Sequence, residues 1–315
     1  MLNPDTTTFV FPGQGSQYIG MGQDFALHSP EVKKIFADAD KILGFDLSRL
    51  CWEGPKDELD DTYNTQPALY TCSMAALTAL RGTIGEFVPA FAAGHSLGEI
   101  SALAAMGAIS FENGLKLVRE RGRLMKIAGK NNPGGMAAIL KMDNIKLVQI
   151  CQQSSKETGH HVQVANDNCP GQLVISGDNV ALDRAIDLVT HNGTGKAIRL
   201  PISIAAHSPL MKHIFDDYKN AVDSSIFYRP NTAILGNVEV NNIDTPYKIK
   251  KELCAQLTAP VRWRETIESL LAKGVTDFVE IGSGQVLTGL LRRIDKTSRG
   301  HVVADTNAIV KLSLA

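Results

Sequence analysis

The sequence predicts an α/β protein in two parts: a large α/β-hydrolase-like unit, a parallel sheet under helices, and a small ferredoxin-like unit inserted into it. Three observations carry this. Short apolar strand-like runs alternate with helical patterns along most of the chain. The apolar run 87–93 leads through Gly94-His95-Ser96-Leu97-Gly98 into the Ala- and Leu-rich stretch 97–108, which is the strand, sharp turn and helix of a nucleophile elbow. From residue 131 to 203 the pattern changes to β-α-β-β-α-β. The large unit is therefore assigned to residues 1–130 and 204–315, and the small one to 131–203.

Taken in order, Thr7 to Phe11 reads as the first strand, stopped by Pro12, which cannot continue donating to a ladder. Gly13-Gln14-Gly15 follows. A dinucleotide loop needs a third glycine where Tyr18 stands, and the Gly-Lys-Ser/Thr of a phosphate loop is absent. Gln14 is left as part of an ordinary tight loop, or as a backbone amide facing a site. Residues 30–43 and 67–80 have helical periodicity, within helical packing around the sheet. In the elbow, Ser96 stands on a strained turn that only flanking glycines permit, and the amide of Leu97 points at any oxyanion formed there.

Residues 110–129 form a helix whose Lys116, Arg119, Glu120, Arg123 and Lys130 read as a solvated face. Arg121 falls instead among Leu117, Val118, Leu124 and Met125. A guanidinium there keeps its charge and needs an anion, either an internal Glu or a carboxylate on a substrate.

The inserted unit reads as a strand over 135–142, a helix over 143–156, strands over 161–166 and 172–176, a helix over 179–191 and a strand over 196–202. Pro209 opens a helix running to about Val222, with His207 just before it, placed to reach across a cleft; His213, within it, reads as structural. Beyond lie a strand at 232–235, helices at 249–257 and 265–273 interrupted by Ala259-Pro260, a strand at 277–281 and a helix at 286–293. Residues 297–315 are weakly patterned.

Composition narrows the function. Of 315 residues 44% are hydrophobic and 21% charged, a globular balance, and the net charge of −1 argues against nucleic acid as a partner. No apolar run approaches a membrane span, and MLNPDTTT lacks the basic and apolar parts of a signal peptide, so a cytoplasmic protein acting off the membrane is expected. Five scattered cysteines without a C-x-x-C, and histidines without metal spacing, predict neither a disulfide framework nor a metal.

Together, Phe11-Pro12-Gly13-Gln14-Gly15-Ser16-Gln17, Gly94-His95-Ser96-Leu97-Gly98-Glu99, Arg119-Glu120-Arg121-Gly122, Ala206-His207-Ser208, Gln256-Leu257 before Pro260-Val261-Arg262-Trp263, and Glu280-Ile281-Gly282-Ser283-Gly284 resemble the malonyl-CoA:acyl carrier protein transacylase family, including polyketide synthase acyltransferases. The resemblance implies a malonyl transfer through Ser96 as nucleophile and His207 as general base, with Gln256 steadying the histidine through its carbonyl. It further implies an oxyanion hole from the amides of Gln14 and Leu97, and Arg121 as partner of the malonyl carboxylate. Ala206 stands where polyketide relatives selecting malonyl tend to carry Phe and those selecting methylmalonyl tend to carry Ser, while Leu97 leans towards malonyl. No cofactor is expected beyond the coenzyme A thioester as substrate; malonyl-CoA and an acidic acyl carrier protein are the expected partners of a monomer in fatty-acid or polyketide synthesis. Basic residues of the small unit or of the segment 262–264 are candidates to meet the carrier. The alternatives are an acyl-carrier-protein thioester hydrolase on the same scaffold, against which a charged Arg121 counts, and a non-catalytic docking subunit.

Overall fold

Thr7–Phe11 forms β1, the buried centre of a five-stranded parallel sheet in the computed structural model, which describes residues 2–191 and 195–314. Residues 192–194 of the predicted small unit and Ala315 lie outside the described residues. Five helices follow β1 in succession: α1 (Gln23–His28), α2 (Pro30–Leu43), α3 (Leu47–Glu53), α4 (Lys56–Asp60) and the long α5 (Thr62–Ile84). The chain then enters β2 (Phe91–Gly94), turns through Ser96 into α6 (Gly98–Ala105), and runs along α7 (Phe111–Asn131). β2 lies parallel to β1 with Phe11 opposite Gly94. This register sets the elbow at the carboxyl end of the sheet, where open α/β sheets place their ligands.

α5 begins five residues before the predicted start, because Asp61 caps it by accepting the Tyr63 amide. Pro67 then falls inside the helix. Having no N–H, it frees the Tyr63 carbonyl four residues back. Arg119 of α7 donates Nη1 to that carbonyl at 2.7 Å and stacks on the Tyr63 ring. Arg119 is therefore drawn into the α5–α7 contact, which corrects its assignment to a solvated face.

The chain next builds β3 (Gly134–Leu140), α8 (Asn144–Thr158), β4 (Val162–Cys169), β5 (Gln172–Asp178), α9 (Asn179–His191) and β6 (Lys196–Arg199). Their strands pair antiparallel in the order β4-β5-β3-β6, and α8 and α9 share one apolar core with one face of the sheet. The other face turns Met136 and Val174 into the core of the large unit. β4 is also stitched to the large unit: the Asp167 amide donates to the Val261 carbonyl and the Val261 amide to that of Ala165.

After a 3₁₀ turn at Pro209–Ile214, where a single continuous helix is predicted, come α10 (Phe215–Ser224), β7 (Ala233–Leu235), α11 (Pro246–Gln256), α12 (Trp263–Ala272), β8 (Asp277–Ile281) and α13 (Val286–Ile294). The weakly patterned end supplies β9 (Arg299–Val303) and α14 (Thr306–Leu314). The large sheet has the order β7-β2-β1-β8-β9, all parallel. β9 escapes the apolar pattern because it is an edge strand whose Arg299 and His301 pair with buried Asp277. Among the described residues no helix is long and apolar enough to cross a membrane.

The elbow packs without room for a side chain at its glycines. A Cβ on Gly98 would lie 2.1 Å from the Phe11 carbonyl oxygen, whereas one on Gly289, in α13, would meet nothing within 4 Å. Gly98→Ala is expected to cost about 1–3 kcal/mol or more through forced backbone shifts, and Gly289→Ala to gain about 0.5–1 kcal/mol from helix entropy. Urea unfolding of the two variants checks the opposite signs.

Candidate active site

Ser96 has φ 53°, in the left-handed region that a serine rarely occupies. Its neighbours hold it there. The Ser96 amide donates to Asn237 Oδ1 at 2.8 Å, and Asn237 Nδ2 donates to the Gly94 carbonyl, so one buried side chain grips both sides of the turn. Gly94 is obligatory for the same geometry, since a Cβ there would sit 1.9 Å from the Gly98 carbonyl oxygen.

The Ser96 hydroxyl lies 2.8 Å from His207 Nε2, and His207 Nδ1 lies 2.8 Å from the Gln256 carbonyl. A carbonyl only accepts, so Nδ1 carries the proton and Nε2 presents its lone pair to the hydroxyl. His207 also has a left-handed backbone, φ 58°. Burial, and then the charge of Arg121, push its imidazole down to about 3. The ring is thus neutral and able to accept a proton at any ordinary pH.

Arg121 comes from α7 and is 3% exposed. Its Nη1 donates to Gln66 Oε1 at 3.0 Å; its Nη2 donates to Gln256 Oε1 at 3.0 Å and to Ser96 Oγ at 3.2 Å. All three acceptors are neutral. The nearby carboxyl of Glu99 is fully buried, receives the Asn237 amide, and is raised well above the usual carboxylate range by burial and by Glu252. Neither Glu99 nor any other carboxylate among the described residues forms an ion pair with Arg121, so the internal anion of the first of its two readings is not there.

The amides of Gln14 and Leu97 have no hydrogen-bond partner among the described residues. They belong to the same walls as Ser96, His207 and Arg121, around a cavity of about 160 Å³ closed by Met125, Met136 and Val174. The Gln14 side chain donates Nε2 to Thr62 Oγ1 at 3.0 Å on the cavity wall. The structure thus brings together all six residues singled out from the sequence, and gives Gln256 more to do than expected: besides its carbonyl on His207, its side chain bridges Arg121 and the Ser96 carbonyl.

In the basic segment 262–264, Arg262 is paired with Glu265, and Arg264 with Asp167, whose side chain is 5% exposed; both arginine side chains stay partly exposed. His213 is exposed and bonds the Leu210 carbonyl, as a structural histidine does. Gln66 and Asn237 escaped the sequence reading. Gln66 lies among the polar residues of the first turn of α5, Thr62, Asn64 and Thr65, and just before the predicted helix, so nothing in the pattern singles it out; Asn237 lies on an irregular loop with no pattern to mark it.

The sequence profile described as the acyl transferase domain matches residues 8–306. The chain belongs to the acyl transferase family. Within that family it is 42% identical over 301 residues to the malonyl CoA-acyl carrier protein transacylase of Bacillus subtilis, covering 96% of this chain and 94% of that one. The Escherichia coli K12 protein of the same name is 38% identical, with 96% of each covered. Among solved structures, the malonyl CoA-acyl carrier protein transacylase of Coxiella burnetii superposes with a TM-score of 0.94 at 37% identity, over 98% of this chain and 97% of that one. A malonyl-transacylase solved in complex with its type II polyketide acyl-carrier protein gives 0.93 at 39% identity, over 97% and 98%. The two-unit fold is thus that of solved acyl transferases.

The buried imidazole has a consequence for stability. In the unfolded chain His207 takes a proton as pH falls through about 6.5, while in the folded protein it stays neutral until about 3. Between those values the unfolded state binds the extra proton, so stability is lost with falling pH, by up to about 1.4 kcal/mol per pH unit from this group. Urea titrations are expected to show a shallower acid loss for His207→Asn than for the wild type; identical slopes would contradict a neutral buried His207.

Proposed function

We propose that this protein is an [acyl-carrier-protein] S-malonyltransferase, moving a malonyl group from malonyl-CoA to the phosphopantetheine thiol of an acyl carrier protein in fatty-acid or polyketide synthesis. One observation carries the choice of acyl group: a buried guanidinium, bonded only to neutral oxygens, lies one hydrogen bond from the nucleophilic hydroxyl. A dicarboxylic half-thioester provides the missing anion. An uncharged acyl chain leaves Arg121 as it was, which disfavours the hydrolase reading.

In the first half-reaction Ser96 Oγ attacks the thioester carbonyl as its proton passes to His207 Nε2. The charge on the carbonyl oxygen falls between the amides of Gln14 and Leu97, where each donor is worth about 2.7–4 kcal/mol. The imidazolium, steadied by the Gln256 carbonyl, returns the proton to the departing coenzyme A sulfur, leaving a malonyl ester on Ser96. The carrier thiol then repeats the sequence in reverse: His207 takes its proton, the sulfur attacks the ester, and Ser96 recovers the proton.

Arg121 acts twice in this scheme. In the free enzyme its Nη2 donates to Ser96 Oγ and so holds electron density away from attack. A malonyl carboxylate draws the guanidinium towards itself and offsets its charge, which adds to burial, the larger cause, in depressing His207. Chemistry of this kind uses only the side chains and backbone of the site and needs no cofactor beyond the coenzyme A thioester. A monomer suffices for this chemistry, the small unit and the large unit of one chain each lining one side of the cavity.

Radiolabelled malonyl-CoA tests the reading. A label that is stable on Ser96, is absent from Ser96→Ala, and moves to added holo-carrier protein is expected; rapid release of free malonate with carrier present contradicts transfer. Arg121→Ala is expected to lower kcat/KM for malonyl-CoA by about 10²-fold or more, as loss of a charge-assisted pair should, while changing acetyl-CoA use little. Equal losses for both would make Arg121 structural.

A further inference from the structure

The base is restrained from the small unit as well as from the large one. Gln163 projects from β4 across the seam, and its Nε2 donates to the His207 carbonyl at 2.7 Å and to the Thr258 carbonyl at 3.3 Å. Its Oε1 faces His161 Nε2 at 3.1 Å. An amide nitrogen has two hydrogens, so both carbonyls are served at once. The two carbonyls belong to the two halves of one device. His207 bears the imidazole on a left-handed backbone, and Thr258 follows by two residues the carbonyl of Gln256 that fixes the ring.

We infer that Gln163 is a positioning residue, whose amide ties the His207 backbone to the 256–258 turn and thereby holds Nε2 in line with Ser96 Oγ. This rests on the reading of His207 as the base. A left-handed histidine is strained and persists only where its surroundings fix it. Release of its carbonyl lets the backbone relax and swings the ring, and a misplacement of about 1 Å can cost about 10²-fold in rate. The seam does not depend on this residue: the Asp167–Val261 and Val261–Ala165 backbone bonds and the Arg264–Asp167 pair remain without it. Gln163 is only partly buried, so its replacement leaves no large void.

The test compares wild type with Gln163→Leu, Gln163→Glu and Gln163→Lys. Gln163→Leu removes both donors; Gln163→Glu turns an acceptor towards two carbonyls; Gln163→Lys restores a donor. Expected are melting temperatures close to wild type, a fall of about 10- to 100-fold in kcat for malonyl transfer with Gln163→Leu, a larger fall with Gln163→Glu, recovery of most of the loss with Gln163→Lys, and KM for malonyl-CoA within about twofold throughout. The rate at which a fluorophosphonate labels Ser96 reads the same alignment without any acyl substrate and should follow the same order. Unchanged kcat and labelling in Gln163→Leu, or equal losses in all three variants running parallel to melting temperature, would overturn the inference. Failure of the wild type itself to accept malonyl-CoA would instead overturn the substrate reading, and the labelling series would still decide the role of Gln163.

Discussion

Arg121 brings a guanidinium into the interior, and the protein has buried it without giving it a carboxylate. Burial of a cation is tolerable only with several good acceptors, and three neutral oxygens from Gln66, Gln256 and Ser96 provide them. The rest of the site is arranged around that charge. Arg121 adds to burial in lowering the basicity of His207, it donates to the Ser96 hydroxyl, and its Nη2 is met by the inward-facing side chain of Gln256. Gln256 consequently touches Ser96, His207 and Arg121 at once, through its side-chain amide, its carbonyl and its side-chain oxygen.

Geometry at the two reacting residues has a common character. Ser96 and His207 are two of only four non-glycine residues with positive φ among those described. Each is pinned by an amide from a different element: Ser96 by Asn237 on the loop after β7, and His207 by Gln163 on β4. Between two backbones held in this way, the hydroxyl and the imidazole lie 2.8 Å apart. The small unit therefore contributes more than a wall of the cavity.

Much of this was legible in the sequence because its causes are local. The elbow must have glycines where backbones touch, β1 must be apolar on both faces, and the order of elements in 131–203 reappears in the strand order β4-β5-β3-β6. Arg121 declared itself by sitting in an apolar stripe, and it is buried. What the sequence could not show depends on contacts between distant segments. Asn237 acts from 141 positions beyond Ser96, and Arg119 was misread because the Tyr63 carbonyl that claims it is freed only by Pro67 inside a helix that starts earlier than its periodicity suggests. β9 was missed because an edge strand paired through Arg299 and His301 does not need an apolar pattern. The pairing of Arg264 with Asp167, 97 positions away, is likewise a tertiary fact, whereas Arg262 pairs locally with Glu265 three residues on.

The most direct test is a crystal structure of the acyl-enzyme, formed by soaking with malonyl-CoA and trapped by rapid cooling. The account predicts a malonyl ester on Ser96 whose carboxylate bonds both Nη1 and Nη2 of Arg121, with the guanidinium drawn off the serine oxygen and the ester carbonyl between the Gln14 and Leu97 amides. A carboxylate turned to solvent, with Arg121 still bound to Gln66 and Gln256 as in the free protein, would contradict it.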